Sequence, residues 1–441
     1  MSGPARHAKA VLISVIGLHL VAETALTPFL PQLFERLYGI EDHGATGFYL
    51  WVCRIVGLAA LPLWGLAARR WSPHQLVLGG LCGSAVLDLL LGLAPSYAAY
   101  TALSTGIVAT NSALLLAYPA FIAQCDGSGG DGGERSRLAG ICSIVVVFHL
   151  SSVVATVVGA GVLALPDPRL GISAFAVLDV VLAVLTHRVL GGRTSAGAVS
   201  ASGPGPAERA EPAGPAEPAG PAGRKRAGRL ALLVHVALLG LAFDFSVAVA
   251  RPFFTEFAEE LGSGASGSAV LFFLPSVAAL AVLPAVRRCH DLFGDRLLPL
   301  ALAAGAAGLL WQALSASLPA LVGGRLLFGI GLGLGQVAVE LRMFRATGTD
   351  GPAYTAVETA RSAGLLAAPL AATAAVSADL ALPLAVAAAV QVLGTVLALR
   401  RVRAGAAPPP VPAQRKAATV PAPAPEPEPV PALAHAKEND R

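Results

Sequence analysis

The strongest constraint in this sequence is its succession of apolar stretches long enough to cross a bilayer. They fall at about 11–33, 46–67, 75–94, 98–123, 138–163, 170–189, 230–253, 267–287, 297–316, 319–341, 353–375 and 379–399. A hydrocarbon core about 30 Å thick takes roughly 20 residues of helix. Inside it every backbone N–H and C=O needs a partner, which a helix finds within itself. Charged residues make up 13% of the chain, against about 25% in a soluble domain. The alternating segments of about ten residues that mark a membrane barrel are absent. The expectation is an all-α integral membrane chain of twelve transmembrane helices. Asp88 and His149 interrupt the third and fifth spans, Asp179 the sixth, and His235 and Asp244 the seventh.

Lys and Arg concentrate in cytoplasmic loops. With the N-terminus inside, 25 of the 31 basic residues fall in inner segments, counting Arg188 and Arg287 at the inner edges of their spans, only Arg36 and Arg169 in outer loops, and Arg54, Arg251, Arg325 and Arg361 deeper within spans. The loss of any one helix would invert every later loop, so the tally supports the even count as well as cytoplasmic N- and C-termini in the cell (inner or plasma) membrane. The net charge of +4 therefore reports topology and gives no reason to expect nucleic acid. The apolar run after Arg6 and Lys9 continues past Glu23 to Phe29, longer than the core of a cleaved signal peptide. Cys53, Cys82, Cys125, Cys142 and Cys289 have no metal or disulfide spacing and read as packing residues. Neither metal nor cofactor is implied.

Residues 191–228 are a Pro, Ala, Gly and Glu mixture without bulky side chains, a composition that cannot bury enough apolar surface to fold. They read as a disordered cytoplasmic linker between an N-terminal six-helix bundle, 1–190, and a C-terminal one, 229–403. Arg224, Lys225, Arg226 and Arg229 at its end hold topology and can meet anionic headgroups. The Pro-rich stretch 404–441 reads as a disordered tail. The halves align: Pro28, Phe29 and Leu30 match Pro252, Phe253 and Phe254 at an offset of 224, and Leu61 and Pro62 match Leu283 and Pro284 at 222. Trp71, Leu76 and Leu78 fall on Phe293, Leu298 and Leu300 at the same second offset. The two bundles should be pseudo-symmetric.

Six plus six parallel repeats are the organisation of major facilitator transporters, in which substrate sits at the midplane between two rocking halves. The chain resembles that superfamily over residues 8–403. The family's loop after helix two reads roughly G-x-L-A-D-R-x-G-R-R; here it is Gly65-Leu66-Ala67-Ala68-Arg69-Arg70-Trp71-Ser72-Pro73-His74. Gly65, Ala68 and Arg70 match, while Arg69 stands in place of the Asp and Pro73-His74 in place of the basic pair. The resemblance implies that Arg69 and Arg70 latch helix ends during gating. The counterpart in the second half, Arg287, Arg288, Asp291, Gly294, Asp295 and Arg296, keeps more of the charge. Of the Gly-Pro motif that drug antiporters carry in helix five only Gly159 and Gly161 are present. A narrower resemblance, to facilitator exporters of carboxylate siderophores, is carried by Glu23–Pro31, Thr46-Gly47-Phe48-Tyr49 with Arg54, Pro62-Leu63-Trp64-Gly65 and Leu114–Pro119.

Ionisable groups at membrane depth are costly and usually face a bundle interior. Glu23, Arg54 and His149 share one depth in the first half. Arg54 could bind an anionic substrate group while Glu23 or His149 exchanges a proton; the plain alternative is a self-neutralising Glu23–Arg54 pair. Asp244, a further proton-coupling candidate, and Arg251 lie seven residues apart on one face. Glu358 and Arg361 share another, and Arg361 could reach Glu340 to form a gating ion pair at the inner side. Arg325 could face substrate or snorkel to the headgroups. Thr27 and Asn111 are candidate substrate contacts, with Thr24 and Gln336 as further cavity polar groups. Asp88 and Asp179 read as hydrogen-bonding groups between supporting helices. The run Gly329, Gly331, Gly333 and Gly335 permits close helix packing; it is no nucleotide loop, because neither a preceding strand nor a following Lys-Ser or Lys-Thr accompanies it.

The leading functional expectation is a secondary active transporter working by alternating access as a monomer, with proton-coupled export (proton antiport) of a small anionic or zwitterionic solute, a siderophore among the possibilities. An uptake permease or a general drug efflux pump remains open. A membrane-embedded enzyme would need a clustered nucleophile, base or metal set; the sequence offers no HExxH, GxSxG or paired-His motif, so no enzyme is expected. A scaffold working through the Pro-rich tail is the other alternative.

Overall fold

The computed structural model describes residues 14–126 apart from 16, 69 and 72, together with 134–191, 222–347 and 352–400. Most of the expected linker, the tail from 404 and Arg69 lie outside the described residues. Those residues form twelve helices. Helix α1 comprises residues 17–24, a 3-10 turn Thr27–Phe29 and Leu30–Tyr38; α2 is His43–Ala67, α3 Pro73–Gly92, α4 Tyr97–Asp126, α5 Glu134–Ala164 and α6 Pro168–Gly191. Helix α7 runs Ala222–Ala250 and resumes as Phe254–Glu260. Helix α8 runs Gly264–Val282, bends through Leu283–Ala285 and continues as Val286–Phe293. Then follow α9 (Leu297–Ala313), α10 (Leu318–Thr347), α11 (Pro352–Gly364, Leu365–Ala367 and Ala368–Val376) and α12 (Leu382–Leu399). The fold is an all-α integral membrane architecture of two six-helix bundles. One departure from the sequence reading is that α7 starts at Ala222, so the basic end of the expected linker is helical.

The packing repeats between halves. In the first half α3 packs on α6 and α4, and α2 on α4; in the second α9 packs on α12 and α10, and α8 on α10. Each contact recurs six helices later. Across the halves α2 meets α11 and α5 meets α8, and the same shift of six exchanges these two contacts.

Proline sets the breaks, because it has no N–H to give the preceding turn. Pro28 sits in the 3-10 turn of α1, and Pro252 in the gap between the two parts of α7. The helix segments that follow these matched breaks meet: Thr255 Oγ1 donates to the Pro28 carbonyl at 2.7 Å, and Gln32 Nε2 donates to Thr255 Oγ1 at 3.1 Å. Gly159 of α5 backs the same break, where any Cβ would collide with the Ala25 carbonyl. The glycine run of α10 serves packing on three sides: Gly329 and Gly333 lie against Pro275 and Ala279 of α8, Gly331 against Gly305 of α9, and Gly335 against Phe243 of α7.

The bundle has two ends, named here by a residue at each. At the Gly39 end, which the charge tally assigns to the outside, the halves are joined. Gly47 of α2 packs so closely on Thr373 of α11 that a side chain there would overlap it, and His43 Nε2 lies 3.0 Å from Glu256 Oε2. Near the Trp71 end Leu138, Ile141 and Val145 of α5 pack with Leu283 and Val286 of α8 and Val337 and Leu341 of α10.

Candidate substrate cavity and ion-pair network

Arg54 projects from the middle of α2 and Arg251 from the break in α7, one from each half. A cation suits the latter position, since the last turn of a helix carries partial negative charge on its free carbonyls. Arg54 is surrounded by protein yet exposed, so it opens onto interior space. The Arg251 guanidinium donates from Nη2 to Ser152 Oγ of α5 at 3.3 Å and lies 5.3 Å from the centre of the Phe272 ring of α8. The two arginines are near enough to repel. Among the described residues neither has a carboxylate within 4 Å; Asp244, seven residues before Arg251 on α7, attracts Arg54 from a distance.

Asp244 belongs to a second group of charges. Arg361 of α11, 6% exposed, donates from Nη2 and Nε to Asp244 Oδ2 at 2.6 and 2.9 Å, to Glu358 at 3.0 Å and to Glu340 of α10 at 3.3 Å. Gly240 makes room for it: a Cβ there would come 2.7 Å from Arg361 Nε. Three carboxylates on three helices thus converge on one guanidinium. The structure brings Asp244, Glu340, Glu358 and Arg361 together, and pairs Asp244 with Arg361 rather than with its sequence neighbour on the face, Arg251.

Glu23 is exposed within the surrounding protein, and no Glu23–Arg54 ion pair forms among the described residues. Thr27 lies half-buried in the α1 turn. Thr24 Oγ1 donates back to the Leu20 carbonyl at 2.7 Å. Asn111 is 5% exposed, with Oδ1 lacking a donor among the described residues. His149 is buried, its Nδ1 3.4 Å from Ser276 Oγ of α8, so it sits in the contact between the halves. Arg70 lies at the Trp71 end beside a recess of about 530 Å³ bounded with it by Leu66, Ala67 and Trp71.

Arg325 has a different place from the substrate contact expected of it, and it does not snorkel. It is 4% exposed, with Nε donating to the Leu271 carbonyl at 2.8 Å, Nη2 to the Phe272 carbonyl at 2.7 Å and Nη1 to Gln312 Oε1 at 3.3 Å. Its guanidinium lies 3.7 Å from the centre of the Phe254 ring. These partners engage each of its three nitrogens and make it a brace between α10 and α8.

Serines 152 and 276 were not singled out by sequence. Ser276 Oγ reaches Ser152 Oγ at 3.5 Å and His149 at 3.4 Å, a polar seam beside Arg251. Serines inside apolar helices are too common for their presence alone to mark such a seam.

Three solved structures share the fold of this chain. The human organic anion transporter MFSD10 (TETRAN) superposes with a TM-score of 0.62 at 20% identity, over 90% of this chain and 100% of that one. Two structures of the nucleoside transporter NupG give 0.60 and 0.59 at 11% and 12% identity, over 89% of this chain and 98% and 97% of theirs. This is the major facilitator fold. No protein-family model and no curated protein sequence matches the chain. In this fold Arg54 of the first bundle feels both Arg251 and Asp244 of the second, and Asp244 links them to the Arg361 group.

Proposed function

We propose that the chain is a secondary active transporter that exports a small carboxylate-bearing zwitterion in exchange for protons, with the Gly39 end outside and both termini in the cytoplasm. The observation that carries this reading is the pair Arg54 and Arg251: two guanidinium groups from opposite halves, close enough to repel, with no carboxylate in contact with either among the described residues. A substrate carboxylate between them would relieve that repulsion and tie the halves together, as alternating access requires. One structural neighbour is named an organic anion transporter; the argument for an anion rests on the arginines of this chain.

Glu23 decides between exchange and cotransport. A purely anionic cargo would bind better when Glu23 or Asp244 is protonated, so proton and cargo would travel together. A zwitterion instead places its ammonium against ionised Glu23, where a proton competes with it. Competition for one carboxylate is the linkage that antiport needs. Asp244, held by Arg361 and attracted to Arg54, tunes Arg54: cargo that draws Arg54 away leaves Asp244 to Arg361. Carboxylate siderophores carrying an amine belong to this cargo class.

The test is flux in proteoliposomes with an imposed pH gradient, using labelled amino-carboxylates and their amine-free analogues, for wild type, Arg54→Ala and Glu23→Gln. The expected results are proton exchange with the zwitterion, loss of flux in Arg54→Ala, and loss of gradient dependence in Glu23→Gln. Normal flux in both variants, or flux indifferent to an uncoupler, would overturn the reading.

A further inference from the structure

Helix α3 packs along α6, and Asp88 and Asp179 meet in that contact, 7% and 1% exposed. Ser84 Oγ donates to Asp88 Oδ2 at 3.5 Å. Both oxygens of Asp179 lack a donor among the described residues, although the two carboxyl groups lie within hydrogen-bonding reach of each other. No Lys, Arg or His forms an ion pair with either within 4 Å among the described residues. On α4 the nearby titratable group is Tyr100, which feels the charge of Asp88. At the head of α6 Arg169 is occupied, donating to the Ala94 and Gly92 carbonyls and lying over the Tyr38 ring.

Two ionised carboxylates cannot share a dry contact without a cation between them. Where two such groups touch, one keeps a proton and donates it to the other. That proton would also supply the donor that Asp179 lacks. Ser84 has a single O–H to give and lies within reach of Asp179 as well as Asp88, so it can serve one of the two carboxyl groups and leaves the other without a donor.

We propose that Asp88 and Asp179 form a proton-binding site, separate from the cavity between the bundles, which holds one proton between the two carboxyl groups and so fastens α3 to α6. The O–H of one acid donates to the carboxylate of the other; loss of the proton leaves two negative charges in contact and opens the clasp. The site does not depend on what the cavity carries.

Asp88→Asn and Asp179→Asn each replace an acid by an amide that donates without a removable proton. In purified full-length protein the wild type should show an infrared carboxylic-acid carbonyl band at neutral pH that each variant loses. Its thermal midpoint should fall on alkalinisation, while the midpoints of the variants stay level. A band unchanged in both variants would overturn the proposal. So would a wild-type midpoint raised by Na⁺ or Ca²⁺ in a way both variants lose, since a metal cation would then be the counter-ion. Should a variant fail to fold, ¹³C-carboxyl labelling of aspartate in the wild type reads the same groups; a spectrum of ionised aspartates alone at neutral pH overturns the proposal.

Discussion

Arg325 stands in for a hydrogen bond that Pro275 cannot make. In a helix the Leu271 carbonyl would accept from the N–H of residue 275, but proline has none, and Arg325 Nε of the neighbouring helix donates to that carbonyl at 2.8 Å instead. Pro275 lies inside Gly264–Val282 without ending it.

Arg325→Met therefore leaves a buried carbonyl without a donor, which costs about 1–3 kcal/mol. Pro275→Ala in the same background should recover part of that loss by returning the helical N–H. Denaturant unfolding of the single and double variants in micelles gives the coupling; strictly additive effects would show that Arg325 does not act through the Leu271 carbonyl.

Gly47→Ala places a methyl group against Thr373, so it should hold the Gly39 end open, and Thr373→Gly should restore closure. Spin labels at Glu41→Cys, on the loop before α2, and at Ala265→Cys, in the first turn of α8, read this as a longer distance in Gly47→Ala and a return in the double variant. An unchanged distance distribution in Gly47→Ala would mean that α2 and α11 do not seal that end.

Burial of Glu256 at the joined Gly39 end makes closure of that end sensitive to pH. Burial raises the Glu256 carboxyl above its usual range; His43 opposes the shift, while Glu259 and Glu35 add to it. A carboxyl whose affinity for protons is higher in the closed form draws the equilibrium toward closure as pH falls through that raised value. The gain levels off near about 4.3, the ordinary value, where the open form protonates as well. The same spin-label pair should shorten its mean distance on mild acidification, and Glu256→Gln should abolish the dependence.

Removing either cavity arginine should weaken the binding of a carboxylate cargo. A hydrogen bond to a charged group contributes about 1.5–3 kcal/mol, so Arg54→Ala or Arg251→Ala should raise the dissociation constant of a carboxylate ligand by roughly ten- to a hundredfold. Calorimetry with the zwitterion and its amide analogue provides the check: the amide should bind wild type as weakly as the acid binds the variants.

The sequence alone determined the membrane class, the twelve helices and the pairing of halves. Each follows from one-dimensional quantities: span length, the placement of Lys and Arg, and the matched Pro28 and Pro252. It also brought Arg361 toward Glu340 and Glu358, since i,i+3 spacing fixes one contact and helix ends suggest the other. Tertiary structure decided the rest. Asp244 and Arg251 share a face of α7 with equal claim to each other in sequence, yet the room left by Gly240 brings Arg361 onto Asp244 and leaves Arg251 for Ser152. Arg325 reads as a free charge near a helix end, and only the arrival of α8 with its proline-vacated carbonyl turns it into a brace. A buried charge takes its meaning from whatever the neighbouring helix leaves unsatisfied, and no periodicity within a single helix encodes that.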